Sequence, residues 1–285
     1  KNRHRPRIVM NKDFILEGWD LKKVPSPSFV LHLEMLEENL KTIDKVRKDA
    51  GVEVIMALKA NATWPIFPLL AEHSDGATAS SLSEARLIAE EMKCKAHIYA
   101  PVYMEEEFEE ILSYSSHLTF NSLSQWKRYG ERAMSAGVSC GLRINPEYST
   151  VDTDLYNPCS PQSRLGVRRD ALTDWPTGIE GLHFHALCES RPNDLYNTLR
   201  AVEEKFGHFF SSLKWINLGG GHLITHKDYD ENVLIEILKD FKSRHPHLRI
   251  ILEPGSAFTW DTGVLVSRVE DVLNNGGRNI MMLNV

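Results

Sequence analysis

The chain has 285 residues, 42% of them hydrophobic and 25% charged, with a formal net charge of −6. Such a composition is globular, large enough for a core without staples, and lacks the global basic field that nucleic acid needs. Its four cysteines, Cys94, Cys140, Cys159 and Cys188, form no CxxC pair, which argues against a zinc ribbon or disulfide scaffold and fits reduced thiols in a cytoplasm. No apolar run is long enough to span a bilayer. The basic start, Lys1–Arg7, reads as a solvated arm, with no apolar stretch behind it to make a secretory signal.

Residues 1–33 precede any repeating pattern and hold a Pro-punctuated piece, Val24–Ser28, and a predicted strand, Phe29–Leu33. Eight strand-like runs then follow: Val52–Leu58, Gly76–Ser81, Ala96–Val102, His117–Ser122, Ser139–Asn145, Ile179–Ala186, Trp215–Leu218 and Arg249–Leu252. Between most of them lie amphipathic stretches. The spacing predicts helices over Ser83–Met92, capped by Ser83, and over Glu105–Leu112, Ser124–Ser135, Asp194–Ser211 and Asp230–Ser243. Strands alternating with helices pair in parallel through right-handed crossovers. Eight such units predict an α/β chain with a closed (β/α)8 TIM-type barrel, a fold of typically ~250 residues. An open doubly wound sheet is the alternative, but no early GxGxxG turn supports it. The long insert Pro146–Thr177 after the fifth run is the kind of loop that usually has a function. The expected division is an arm over 1–33, a barrel over 34–278, and the start of a further element over 279–285. The apolar run Asn279–Val285 predicts a polypeptide that continues past it.

Barrels place chemistry at the C-terminal ends of strands. The first run ends in Lys59, which alternation puts on the face of Ile55 and Ala57. A lysine in a barrel mouth suits imine formation with a carbonyl cofactor, or it snorkels to solvent. The sixth run carries His183 and His185, a pair that could bind a metal or stack on a flat cofactor; His183 reads more simply as a core histidine. The seventh ends in Gly219, Gly220 and Gly221, whose consecutive amides could form an anion nest, though a tight loop also favours glycine. The eighth ends in Glu253, an inward carboxylate that needs a partner such as a protonated pyridine nitrogen. Gly255 and Ser256 follow it and could complete a phosphate site. Arg143, in the fifth run, could meet a cofactor oxygen or a substrate carboxylate, or form a surface ion pair.

The motifs Ala57-Leu58-Lys59-Ala60, Ser80-Ser81-Leu82-Ser83-Glu84-Ala85-Arg86 and Ile144-Asn145-Pro146-Glu147-Tyr148-Ser149 occur in order along the chain. Asp154-Leu155-Tyr156-Asn157-Pro158-Cys159, Ser163-Arg164-Leu165-Gly166, His183-Phe184-His185-Ala186-Leu187-Cys188-Glu189, Gly219-Gly220-Gly221-His222 and Glu253-Pro254-Gly255 continue them. Together they resemble the alanine-racemase-like, fold-type III pyridoxal-phosphate (PLP) enzymes, in the branch with ornithine and diaminopimelate decarboxylases. Within that branch the chain is most similar to carboxynorspermidine/carboxyspermidine decarboxylases. The resemblance implies a Schiff base on Lys59, His185 stacked on the pyridine ring and Glu253 at its nitrogen. It puts Gly219, Gly220, Gly221, Gly255 and Ser256 around the phosphate, Arg143 beside the phenolic oxygen, and Glu84 in support of the ring or His185. Glu147, Tyr148, Asp154, Cys188 and Glu189 would shape the substrate pocket, with Glu147, Asp152, Asp154 and Glu189 as partners for polyamine ammonium groups or as plain surface carboxylates. It further implies a cytoplasmic homodimer with shared active sites, a carboxylated polyamine as substrate, and no nucleic-acid or membrane partner. In the family a C-terminal β-domain follows; this sequence largely lacks it, and Phe29–Leu33 would normally pair with it. Three alternatives stand beside this reading. One is another fold-type III amino-acid decarboxylase or racemase. A second is a metal-dependent barrel hydrolase using His183, His185 and Glu253. The third is a non-catalytic PLP- or polyamine-binding protein.

Overall fold

The computed structural model describes residues 20–151 and 153–285; the basic start of the chain and Asp152 lie outside the described residues. The first elements are β1 (Ser28–Leu31) and α1 (Leu33–Ala50). Leu36, Leu40, Ile43, Val46 and Ala50 recur at helical spacing and are buried, while Glu37, Lys41 and Lys48 face water. That stripe is why the segment is a helix.

The succession continues with β2 (Glu53–Val54), β3 (Met56–Ala57), α2 (Phe67–Glu72), β4 (Ala77–Ala79), α3 (Leu82–Leu87), β5 (Ala96–Tyr99), α4 (Glu105–Tyr114), β6 (Ser115–Phe120) and α5 (Leu123–Ser135). It proceeds through β7 (Ser139–Arg143), β8 (Gly181–His183), α6 (Pro192–Phe206), β9 (Trp215–Asn217), α7 (Glu231–Arg244), β10 (Arg249–Leu252) and the short α8 (Ser256–Thr259). One parallel sheet runs in the order β2-β10-β9-β8-β7-β6-β5-β4-β3. Its two ends, β2 and β3, are parts of one stretch separated by Ile55. The Ile55 amide donates to Leu252 O at 2.9 Å and the Met56 amide to Gly76 O at 3.0 Å, so this stretch closes the barrel. Each of the eight predicted runs supplies a strand, and the barrel is the predicted one.

Inside it, Trp215 pairs in register with Gly181, and Gly181 with Gly141. A Cβ on Gly181 would lie 2.0 Å from the Trp215 ring, and one on Gly141 2.3 Å from it. Two bare positions on neighbouring strands therefore make room for the indole, which packs with Ile55 and Ile251.

The structure corrects several boundaries. The cap of α3 is Ser81, whose Oγ accepts the Glu84 amide at 3.2 Å, not Ser83. Its helix gives way to a wider turn over Ile88–Met92. The α6 helix ends at Phe206 in a tighter turn, Gly207–Ser212. The insert after β7 returns to the barrel: Ile144 bridges Val167, and the Val167 amide donates to Arg143 O at 2.9 Å. Gly166, at φ +82°, permits this return, since a Cβ there would sit 2.7 Å from the Ile144 carbonyl carbon.

Two compact units are present: 39–258, which holds the barrel, and the described part of 1–38 together with 259–285. The stretch 259–278 thus groups with the N-terminal segment, where the sequence reading placed it with the barrel. In this second unit β1 pairs antiparallel with β11 (Gly263–Val266). A hairpin of β12 (Val269–Asn275) and β13 (Arg278–Leu283) follows. Its turn is Gly276-Gly277, at φ +59° and +73°, the left-handed pair that a two-residue hairpin loop requires.

Candidate active site

β3 stops at Ala57, and Leu58–Ala60 form a single tight turn that carries the exposed Lys59. Strand alternation therefore does not extend to Lys59, yet the turn still delivers it to the mouth of the barrel. There it lines a pocket with Ala57, Thr78, Ala79 and Ser80, and with Glu84, Tyr99 and Glu253. A larger open groove between α6 and α7, bordered by Tyr196, Asp230 and Glu236, contains no amine able to form an imine.

Glu253 follows β10 and is 11% exposed. The Asn217 Nδ2 donates to its Oε1 at 2.8 Å, and the His183 Nε2 lies 3.7 Å from its Oε2. Burial pushes this carboxyl up, but the neighbouring His183 and the Asn217 hydrogen bond outweigh burial and hold it below the usual carboxylate range. It is an anion at the base of the pocket.

The two histidines of the sixth run do different things. His183 is buried on β8, and among the described residues neither ring nitrogen has a hydrogen-bond partner. His185 lies beyond the strand, where the Gly220 amide donates to its Nδ1 at 3.0 Å. An accepting Nδ1 places the ring proton on Nε2. Burial, then the charges of Lys59 and Arg143, press the His185 value well below the ordinary one, so the ring is a neutral imidazole. Among the described residues no three His, Cys, Asp or Glu side chains are grouped to hold a metal ion, so the metal-hydrolase alternative has no ligand set there.

Arg143 is 5% exposed, which overturns its reading as a surface ion pair. It donates to His185 O at 3.2 Å, and its guanidinium lies 4.6 Å from the centre of the Tyr99 ring. Glu84 accepts from both the amide and the hydroxyl of Ser80, at 2.6 and 2.8 Å, which fixes the carboxylate at the pocket wall.

All three glycines after β9 are sterically required. A Cβ on Gly219, Gly220 or Gly221 would lie 2.4, 2.3 or 2.3 Å from the carbonyl oxygens of Phe184, Glu253 and Leu187. Their amides are not equivalent, as an open nest would need. Gly219 donates to Asn217 Oδ1 at 2.9 Å and Gly220 to His185, while among the described residues the Gly221 amide meets no acceptor. Gly255 is held close to Ala60, and Ser256 opens α8.

The expected substrate residues are more scattered, and the lining of the mouth pocket includes none of them. The Glu147 carboxylate pairs with Arg168 at 2.6 Å and Lys205 at 3.7 Å, so it is already neutralised by cations of its own chain. Tyr148 is half-buried, Asp154 opens the turn Asp154–Tyr156, and Cys188 and Glu189 are exposed. Sequence reasoning missed Tyr99 and Asn217, although each is the last residue of its strand, the position that faces a barrel mouth.

An exposed lysine, a buried carboxylate, a buried guanidinium, a neutral imidazole and a glycine cradle too tight for any Cβ together suit a flat, anionic carbonyl cofactor. Residues 33–260 match the family model described as pyridoxal-dependent decarboxylase, pyridoxal binding domain. The chain belongs to the pyridoxal-dependent decarboxylase family. Its cofactor is pyridoxal phosphate. A carboxyaminopropylagmatine decarboxylase of Synechocystis sp. is 48% identical to this family member over 95% of the chain and 70% of the relative. A carboxynorspermidine/carboxyspermidine decarboxylase of Campylobacter jejuni is 39% identical over 89% of the chain and 66% of the relative. The crystal structure of carboxynorspermidine decarboxylase complexed with norspermidine, also from Campylobacter jejuni, superposes with a TM-score of 0.82 at 37% identity. That match covers 91% of this chain and 67% of the other. The chain thus spans about two thirds of the length of these relatives. Diaminopimelate decarboxylase from Helicobacter pylori, at 17% identity and a TM-score of 0.74, shares the fold.

Proposed function

We propose that this chain is the cofactor-binding barrel of a carboxy-lyase that removes carbon dioxide from a carboxylated polyamine, carboxynorspermidine or carboxyspermidine, in polyamine biosynthesis. The observation that carries the reading is that Lys59 and Glu253 line one pocket. Pyridoxal phosphate, when bound, supplies an imine-forming carbonyl and an electron-withdrawing pyridine ring. Lys59 provides the amine that holds the cofactor and yields to the substrate amine. Glu253, kept anionic, holds a proton at the ring nitrogen, which favours loss of carbon dioxide from a substrate carbon. Racemases of this fold usually lack such a carboxylate, so Glu253 favours decarboxylation over racemisation. His185 presents a neutral ring to the cofactor face, and Arg143 keeps positive charge beside Tyr99 for the phenolic oxygen. Gly221, Gly255 and Ser256 provide for the phosphate; Gly219 and Gly220 shape the turn that brings Gly221 there. Glu84 supports the wall beside Lys59.

The substrate's distal end would lie toward the Tyr148–Gly166 insert and the Cys188–Glu189 turn. The unit of 259–285 with the N-terminal strand would belong to the β-domain that accompanies such barrels, and the whole protein would act in the cytoplasm as a homodimer. No described helix is long and apolar enough to cross a membrane. The 48% identity to a carboxyaminopropylagmatine decarboxylase favours a second substrate of the same class, one ending in a guanidino group. Carbon dioxide release by the full-length polypeptide with PLP, from each of the three carboxylated compounds and from ornithine and diaminopimelate, tests the reading. Turnover of a carboxylated polyamine or its guanidino counterpart is expected. Turnover confined to the amino acids would overturn the substrate class.

A further inference from the structure

Asn217 is the last residue of β9 and is 3% exposed. It is register-paired with His183 on one side and Ile251 on the other. Its Nδ2 donates to Glu253 Oε1 at 2.8 Å, while its Oδ1 accepts the Gly219 amide at 2.9 Å. The backbone repeats this link, because the Glu253 amide donates to Gly219 O at 2.8 Å. One neutral amide therefore ties the carboxylate at the pocket base to the turn that carries the glycine cradle. A carboxamide suits this place because it donates and accepts at once without adding charge.

We propose that Asn217 is a positioning residue that fixes the orientation and the anionic state of Glu253 and couples them to the glycine turn. Its part in cofactor binding rests on the reading of Glu253 as the partner of the ring nitrogen. Its part in holding the carboxylate does not.

Several ionisable groups face Glu253. His183 and His185 approach it from β8 and its exit, Lys59 from the turn after β3, and Glu84 from α3. Tyr99, at the end of β5, lines the same pocket, while His97 on β5 and His117 on β6 lie deeper in the barrel. None of these donates to Oε1 as Asn217 does. Aspartate at this position would retain an acceptor for Gly219 but place a second carboxylate against Glu253. Two such groups share a proton, so the pair binds one more tightly than either alone.

The test uses the Asn217→Asp and Asn217→Ala variants of the chain beside the parent, at about pH 5.5 and about pH 8, values that bracket titration of a carboxyl pair. Without cofactor, thermal unfolding of Asn217→Asp should fall further below the parent at the higher pH than at the lower. The deficit of Asn217→Ala, which has no new titrating group, should change little between them. With PLP, the affinity of Asn217→Asp should be reduced about tenfold or more at the higher pH and recover at the lower. The spectrum of the bound cofactor should become pH-dependent in parallel. An Asn217→Asp deficit equal at both pH values would overturn the proposal. If the cofactor-free signature appears but the parent itself takes up no PLP, Asn217 still positions Glu253, and the cofactor reading of the pocket falls instead.

Discussion

The α-carbon of Gly181 lies flat against the Trp215 ring, so that an added Cβ would be 2.0 Å from the indole Cε2. The indole nitrogen donates to Ser139 Oγ at 2.9 Å, so rotating the ring away would break that hydrogen bond. Gly181→Ala should therefore destabilise the barrel by about 1–3 kcal/mol or more, the usual cost of overpacking. Gly141→Ala should act similarly, with its Cβ 2.3 Å from the same ring. Denaturant unfolding of both variants checks this; parental midpoints would show that the barrel interior is looser than described.

Acid should unfold this protein earlier than its carboxylates alone require. Burial, then the neighbouring His117, depresses His97 to about 3; burial, then Arg249, depresses His117 to about 4; and burial depresses His222 to about 4. The rings of His97 and His117 stack at 3.9 Å, so once His117 is charged a proton on His97 is opposed further. Below about pH 6.5 the unfolded chain binds protons that these folded histidines refuse. Stability is thus present above that pH and is lost as pH falls toward the folded values. The slope approaches about 1.4 kcal/mol per pH unit for each histidine. Unfolding free energies between about pH 7 and about pH 5 measure it, and His117→Gln should flatten the profile.

Glu147 should prove to be a structural residue. Its two cationic partners hold the carboxylate inside the insert, and its backbone is at φ +54°. Glu147→Gln should cost below about 1 kcal/mol, because the pairs are partly exposed. Steady-state kinetics should show KM changed by less than about threefold, a loss too small for a desolvated ammonium contact. A large rise in KM with kcat unchanged would restore it as a substrate residue.

Asn121 should anchor the insert. Its Oδ1 accepts the Tyr99 hydroxyl and the Gly166 amide, both at 2.8 Å, and its Nδ2 donates to Arg164 O at 2.9 Å. Asn121→Ala leaves those groups unpaired at a cost of about 1–3 kcal/mol. Trypsin should then cut after Arg164 faster than in the parent, and Asn121→Asp, which keeps the acceptor, should restore part of the resistance. Equal cleavage rates would show that the insert is held elsewhere.

The barrel was legible because each strand is an apolar run and most have helical spacing after them, and those signals are local. The α1 helix was not among the predicted elements: Leu36, Leu40, Ile43, Val46 and Ala50 carry its stripe, but its charged composition hides the stripe unless the spacing is counted. Lys59, Arg143, His185 and Glu253 were visible as chemistry-bearing residues near strand ends. What the sequence could not supply is which amide each side chain takes. His185 claims Gly220, and Asn217 claims Gly219, so two members of an apparent nest are spent internally. The first joins segments 35 residues apart, and the second, though it spans only two residues, belongs to an amide that also reaches Glu253 36 residues on; no local pattern encodes those long-range links. The pairing of Glu147 was hidden for the same reason, since Arg168 and Lys205 reach it only once the insert and α6 have folded.

The most direct measurement is borohydride reduction of the purified protein after incubation with PLP, followed by peptide mapping, with Lys59→Ala alongside. The pocket lined by Lys59 and Glu253 should give a visible cofactor band that reduction fixes onto Lys59, and the variant should show neither. A label on another lysine, or a band unchanged in Lys59→Ala, would contradict the assignment of this pocket as the cofactor site.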